Sequence, residues 1–200
     1  IFLTHGCGAR VAHLLAHNCA GAARDGAHSH GIFRVNGNIS TLKSGWIDGK
    51  ATPSVEDIAP GFLRVDAQNG FSLLALDAAR DQFIAKARAN GVAILAIRNS
   101  QHFGALWPDV EPFARQGFIA LSMVNSMSFV VPFGGNRPVY GTKPLAFASP
   151  RGKNQPRVLD KTPRAMANGD VHLAAGEGRP VPEAGGRAGE ANHTADPTAV

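Results

Sequence analysis

Apolar residues recur along this chain with two different rhythms, and the change falls near residue 55. Over 9–23, Val11, Leu14, Leu15, Cys19 and Ala22 return at three- and four-residue steps, which predicts a helix with one apolar face. Asp25-Gly26 breaks that pattern with turn chemistry, and a second short helix is predicted over 36–44, stopped by Gly45. From there strands and helices alternate. Phe62-Leu63-Arg64-Val65 reads as a strand closed by the polar Gln68-Asn69-Gly70 turn. Ser72 is placed to cap a helix running to Ala89, in which Leu73, Leu76, Phe83, Ile84 and Ala87 share a face and Asn90-Gly91 supplies the stop. Val92 to Ile97 has the length and β-branched character of a buried strand. A short helix over Asp109 to Arg115 precedes strands over Phe118–Val124, Leu145–Ser149 and Arg157–Leu159. The pattern predicts a helical N-terminal arm over 1–50 and an α/β domain with a mixed sheet over 51–175. The Gly-, Pro- and Ala-rich stretch 176–200 has no period and reads as an irregular tail.

Composition changes this picture little. With 44% hydrophobic and 18% charged residues, the chain has enough apolar surface for a core and is not a disordered segment. The net charge of +5 is basic, but Lys and Arg are scattered singly, without a basic run or interleaved aromatics. That argues against nucleic acid and leaves a phosphate-bearing cofactor as the better sink for the charge. The two cysteines, Cys7 and Cys19, form no CxxC pair, which suits a reduced, cytoplasmic protein. No apolar run is long enough to span a membrane, and a start at Ile1 reads as a clipped beginning.

Three segments can carry chemistry. The first is His28-Ser29-His30-Gly31-Ile32-Phe33-Arg34, polar and bounded by glycines. His30 can move a proton near neutral pH, Ser29 can orient it, and the planar fork of Arg34 suits a carboxylate. A plain helix-connecting loop explains the same residues equally well, and a Ser-His hydrolase would need a GxSxG elbow that is absent. The second is Asn99 to Leu106, at the C-terminal end of a predicted strand, where Gly104 and a following helix N-terminus favour a phosphate. No GxGxxG occurs, so the usual dinucleotide fingerprint is missing. The third is Gly134-Gly135 through Gly141-Thr142-Lys143-Pro144, either a loop or a cradle of N–H groups for an anion. His13 and His17 have ligand-like spacing but no further partner, so no metal is expected. Asp170, after Asn168-Gly169, is a carboxylate suited to supporting an acid/base pair, or a surface aspartate.

Taken together, HSHGIFR, NSQHFGALWPDVEPFA, VNSM with VPFGG, GTKPLAFASP and VLD occur in an order that resembles the malate/L-lactate dehydrogenase family of type-2, non-Rossmann fold. Within it, HSHGIFR, STLKSGWIDGKA and ALWPDVEPFA resemble the branch that reduces Δ1-piperideine-2-carboxylate and Δ1-pyrroline-2-carboxylate. The resemblance covers roughly residues 5–175. It implies an NADPH-dependent reductase (NADH possible) of a cyclic imine carboxylate, giving L-proline or L-pipecolate in proline metabolism or lysine degradation. It also implies a cytoplasmic homodimer, and a family length beyond this chain. By matching motif, Ser29 and His30 resemble a relay and a proton donor, with Asp170 as their carboxylate partner. Arg34, Thr142, Asn168 and Gly169 resemble substrate contacts. His102, Phe103, Gly104, Ala105 and Leu106, with Leu159, Asp160 and Lys161, resemble the cofactor stretches.

Two departures stand out. Lys143 occupies the place of a family Asn, and Asp160-Lys161-Thr162-Pro163-Arg164 replaces an Asp-Met-Ala-Thr-Ser string. A 2-hydroxyacid dehydrogenase acting on a 2-oxo carboxylate such as malate, lactate or ureidoglycolate enzymes use, and an inactive truncated remnant, are the competing readings. Trp107 and His28 favour the imine.

Overall fold

In a computed structural model, residues 1–128, 130–132, 135–161, 168–180, 186–188 and 192–194 are described, with backbone alone for 168–169 and the last two segments. Contacts divide the chain into two units, Ile1–Asp25 with Arg34–Gly104 and Gly26–Phe33 with Ala105–Val200.

The first unit begins with helix α1 (Ala9–Arg24), whose buried Val11, Leu15, Cys19 and Ala22 keep the periodicity of the sequence. Asp25 ends it and Gly26 turns the chain at φ 81°, a left-handed angle suited to glycine. Helix α2 (Arg34–Lys43) packs Val35, Ile39 and Leu42 against a core of Phe2, Cys7, Val11, Leu15, Ile47 and Phe71. That core crosses residue 50, the boundary that the pattern places between arm and domain.

Strands β1 (Ser54–Ala59), β2 (Phe62–Phe71) and β3 (Ile94–Gln101) form a mixed sheet in that order, β1 antiparallel and β3 parallel to the central β2. Helix α3 (Ser72–Asn90) crosses from β2 to β3 and lays Ala75 and Ala79 on Leu63, Val65 and Ala67, all fully buried. Leu63 and Val65 each contribute about 1.5–3 kcal/mol by leaving water. Small residues on the helix let it approach the sheet closely. Gly91 ends the helix at φ 76°, as its sequence predicts.

Three details of this unit differ from the sequence pattern. Ser72 is no cap: Phe71 holds the N-cap position, and the buried Ser72 hydroxyl has no partner among the described residues. Gln68 and Asn69 are not the end of a strand but a left-handed kink within it, at φ 51° and 61°. The register with β3 shifts there and pairing resumes at Gly70 and Ser100. β3 is half-exposed rather than buried, because only its Leu95 and Ile97 pack on the core while Ile94 and Ala96, of opposite parity, face away from it.

The second unit is built on an antiparallel sheet of β4 (Ala120–Met123), β5 (Leu145–Arg151) and β6 (Asn154–Lys161). The mixed sheet of the sequence pattern is therefore one of two three-stranded sheets. Helix α4 (Trp107–Ala114) covers one face, packing Leu106, Val110 and Ala114 on Ala146 and Ala148. The strand predicted from Phe118 is shorter, since Phe118 and Ile119 precede the pairing. Helix α5 (Asn168–Glu177) buries Val171 and Ala174 and packs on a 3₁₀ turn over His28–His30. A small hairpin, β7 (Gly186–Ala188) with β8 (Asn192–Thr194), falls inside the stretch read as irregular. Arg164 and Gly134 lie outside the described residues.

Candidate active site

In the second unit, Ser29 sits at the centre of the 3₁₀ turn, only 3% exposed, and its Oγ lies 3.1 Å from His30 Nδ1. A tight turn suits these residues: Asp25-Gly26 has already broken the helix, and the His30 and Gly31 amides bond back to Ala27 and His28. The hydroxyl is thus sealed on one side and holds the imidazole by one nitrogen. Helix α5, which carries the half-buried Asp170 in its first turn, packs on the same turn. Asn168 and Gly169 begin that helix.

Thr142 is fixed by a residue the sequence reading left without a role. Its amide donates to Ser126 Oγ at 2.7 Å, and the two hydroxyls meet at 3.0 Å. Gly141 beside it has no room for a side chain, since a Cβ would fall 2.5 Å from the Ser126 carbonyl oxygen. The only sequence signal for Ser126 is its place in VNSM. Lys143 follows at φ 44°, a left-handed angle that Asn adopts more readily than Lys, and its ammonium lies 4.3 Å from the Tyr140 ring centroid.

The cofactor stretches divide. Asp160, although exposed, lies on the opposite face of β6 from Leu159 and Lys161. Its Oδ2 accepts from the amides of Leu106 and Trp107 at 2.9 and 3.0 Å, capping α4. The phosphate-favouring helix N-terminus of the sequence reading therefore already holds a carboxylate at those two amides. Leu159 and Lys161, of opposite parity, lie with Arg157 on the face of β6 away from α4, all exposed. Two cations flanking a leucine are chemistry that fits a ligand with phosphates and an apolar ring.

In the first unit, Arg34 opens α2 and its guanidinium lies over the Phe103 ring, 4.4 Å from the centroid. Asn18, 5% exposed in α1, presses its side chain onto Gly104, where any Cβ would collide with Asn18 Oδ1. Asn18 Nδ2 has no partner among the described residues. A polar residue on the apolar side of α1, between Leu15 and Ala22, was its only signal. Burial pushes the Cys19 thiol up, and the charge of Arg34 partly opposes that. Here the structure brings Arg34 and Phe103 together; Ser29 with His30, and Leu106 with Asp160, are the pairs in the other unit.

The fold is α/β, with one mixed and one antiparallel three-stranded sheet. The chain belongs to the malate/L-lactate dehydrogenase family, which matches it across residues 1–200. It is 56% identical over its whole length to the Δ1-pyrroline-2-carboxylate/Δ1-piperideine-2-carboxylate reductase of Pseudomonas putida, of which it spans 59%. The crystal structure of Δ1-piperideine-2-carboxylate reductase from Pseudomonas syringae superposes with a TM-score of 0.94 at 57% identity, covering 99% of this chain and 60% of that one. A (2R)-3-sulfolactate dehydrogenase (NADP+) of Chromohalobacter salexigens is 38% identical over 90% of this chain and 54% of its own.

Proposed function

We propose that the chain carries the catalytic segment of a reductase that converts Δ1-pyrroline-2-carboxylate or Δ1-piperideine-2-carboxylate to L-proline or L-pipecolate. The observation that carries this reading is the buried Ser29 hydroxyl on His30 Nδ1. Held there, the imidazole exchanges its proton through Nε2, the proton that a reduced C=N nitrogen needs. Asp170 supports the imidazolium. Arg34 grips the carboxylate in bidentate fashion, and Thr142, with Asn168 and Gly169, borders the substrate. A nicotinamide cofactor would supply the hydride, with NADPH the favoured form and NADH possible, because one relative uses NADP+ by name. His102 to Leu106, with Leu159 and Lys161, would hold it, while Asp160 acts by capping α4.

The likeness to the two Pseudomonas reductases favours the imine over a 2-oxo acid; the sulfolactate dehydrogenase supports the second reading, a 2-hydroxyacid dehydrogenase. The complete enzyme is read as a cytoplasmic homodimer. No helix among the described residues is long and apolar enough to cross a membrane.

The test uses the chain continued with the part of the Pseudomonas putida reductase that it does not span. His30→Ala should cut kcat by about 10²–10⁴, and Arg34→Ala should mainly raise KM, by about 10–100-fold. Unchanged kinetics in both variants removes these roles.

A further inference from the structure

Among the residues assigned to the cofactor, Phe103 touches something else. The Arg34 guanidinium carbon lies 4.4 Å from its ring centroid, well inside the range in which an aromatic face attracts a cation. The phenyl ring orients the guanidinium without itself supplying a charge to pair with it.

The ring itself is held from several sides. A Cβ on Gly37, one turn beyond Arg34 in α2, would fall 2.7 Å from Phe103 Cε1, so the ring lies against bare helix backbone. On one flank, Gly104 is pressed against the buried Asn18 of α1. On the other, the Gln101 amide donates to Thr41 Oγ1 at 3.2 Å and to Asn38 Oδ1 at 3.5 Å, both on α2. Segment 101–104 is therefore tied to α1 and α2, and Phe103 has little freedom to swing away.

We propose that Phe103 is a positioning residue for Arg34: it fixes the orientation of the guanidinium that receives the substrate carboxylate. This rests on the reading of Arg34 as the carboxylate clamp. Phe103 touches no reacting atom in this role and acts through Arg34 alone.

The experiment is done on the chain continued with the part of the Pseudomonas putida reductase that it does not span, by ¹H–¹⁵N NMR of the arginine side chains, with L-proline as the probe. In the wild type, the Arg34 Nε–Hε proton should be shifted upfield by the ring current, and L-proline should perturb that resonance. Phe103→Leu should abolish the upfield shift and weaken L-proline binding by about tenfold, the size of a partly desolvated cation–π contact. Phe103→Tyr should keep both the shift and the affinity. Gly37→Ala keeps the ring but pushes it from its seat, so it should lose the shift and the affinity while gaining helix propensity, which separates positioning from folding. The proposal is overturned if Phe103→Leu leaves the resonance in place, or moves it without changing the affinity. A wild-type Arg34 resonance that L-proline leaves untouched sinks the clamp and the positioning role together. An upfield shift lost in Phe103→Leu would then still show the stack, so the two failures are told apart.

Discussion

Replacing Asp160 by alanine isolates the cap on α4 from any role in ligand binding. Its Oδ2 takes the amides of Leu106 and Trp107 at 2.9 and 3.0 Å, and Leu106 is only 2% exposed, so water cannot easily replace the lost acceptor there. Loss of an N-cap costs about 0.5–2 kcal/mol, and a buried amide left unpaired costs about 1–3 kcal/mol. The two figures describe overlapping groups, so about 2 kcal/mol is expected for Asp160→Ala. Asp160→Asn keeps an acceptor oxygen and loses only the favourable charge at the helix terminus, about 0.3–1 kcal/mol. Urea denaturation of the chain, followed by tryptophan fluorescence, should show a midpoint lowered by about 1 M for alanine, for a slope of about 2 kcal/mol/M. Amide exchange should localise the effect to Leu106 and Trp107. An alanine variant as stable as the wild type, or an asparagine variant as damaged as the alanine one, would refute the capping argument.

Three further outcomes follow from the same geometry. Arg10 donates to both oxygens of Asp77 and holds its carboxyl below the ordinary carboxylate range, so the folded pKa lies below the unfolded one. The resulting stability is present above the unfolded value of about 3.9 and fades as pH falls through the lower folded value. Urea midpoints measured between pH 5 and pH 3 should therefore fall less steeply in Asp77→Asn than in the wild type. At Lys143, φ 44° favours Asn, so Lys143→Asn should be about 0.5–1 kcal/mol more stable than Lys143→Ala, both having lost the Tyr140 contact; equal denaturation midpoints would contradict this. Leu63→Ala should cost about 2–5 kcal/mol by thermal or urea unfolding, whereas Leu121→Ala, at a side chain 55% exposed, should change stability by less than about 0.5 kcal/mol.

What was legible in the sequence was local. α1 shows its apolar stripe, and Gly26 and Gly91 mark the stops, but α3 buries Ala75 and Ala79 rather than the face with Leu76, Ile84 and Ala87; Ser29 and His30 are neighbours in the chain. β1 carries no clear period because Glu56 and Asp57 interrupt its apolar residues; in the structure these pair with Arg64 and Lys86. The Gln68-Asn69 kink was visible, but the pairing that continues beyond it depends on β3. Asp160 as a cap, Ser126 beneath Thr142 and Phe103 over Arg34 all join residues distant in the chain, which no local period encodes.

The most direct measurement is the rate of NADPH oxidation by the chain continued with the part of the Pseudomonas putida reductase that it does not span, offered Δ1-pyrroline-2-carboxylate, Δ1-piperideine-2-carboxylate, pyruvate and oxaloacetate in turn. Faster turnover of the cyclic imines, abolished with His30→Ala, is the result predicted. Faster turnover of a 2-oxo acid, or no turnover with no NADPH-induced rise in melting temperature, would contradict it.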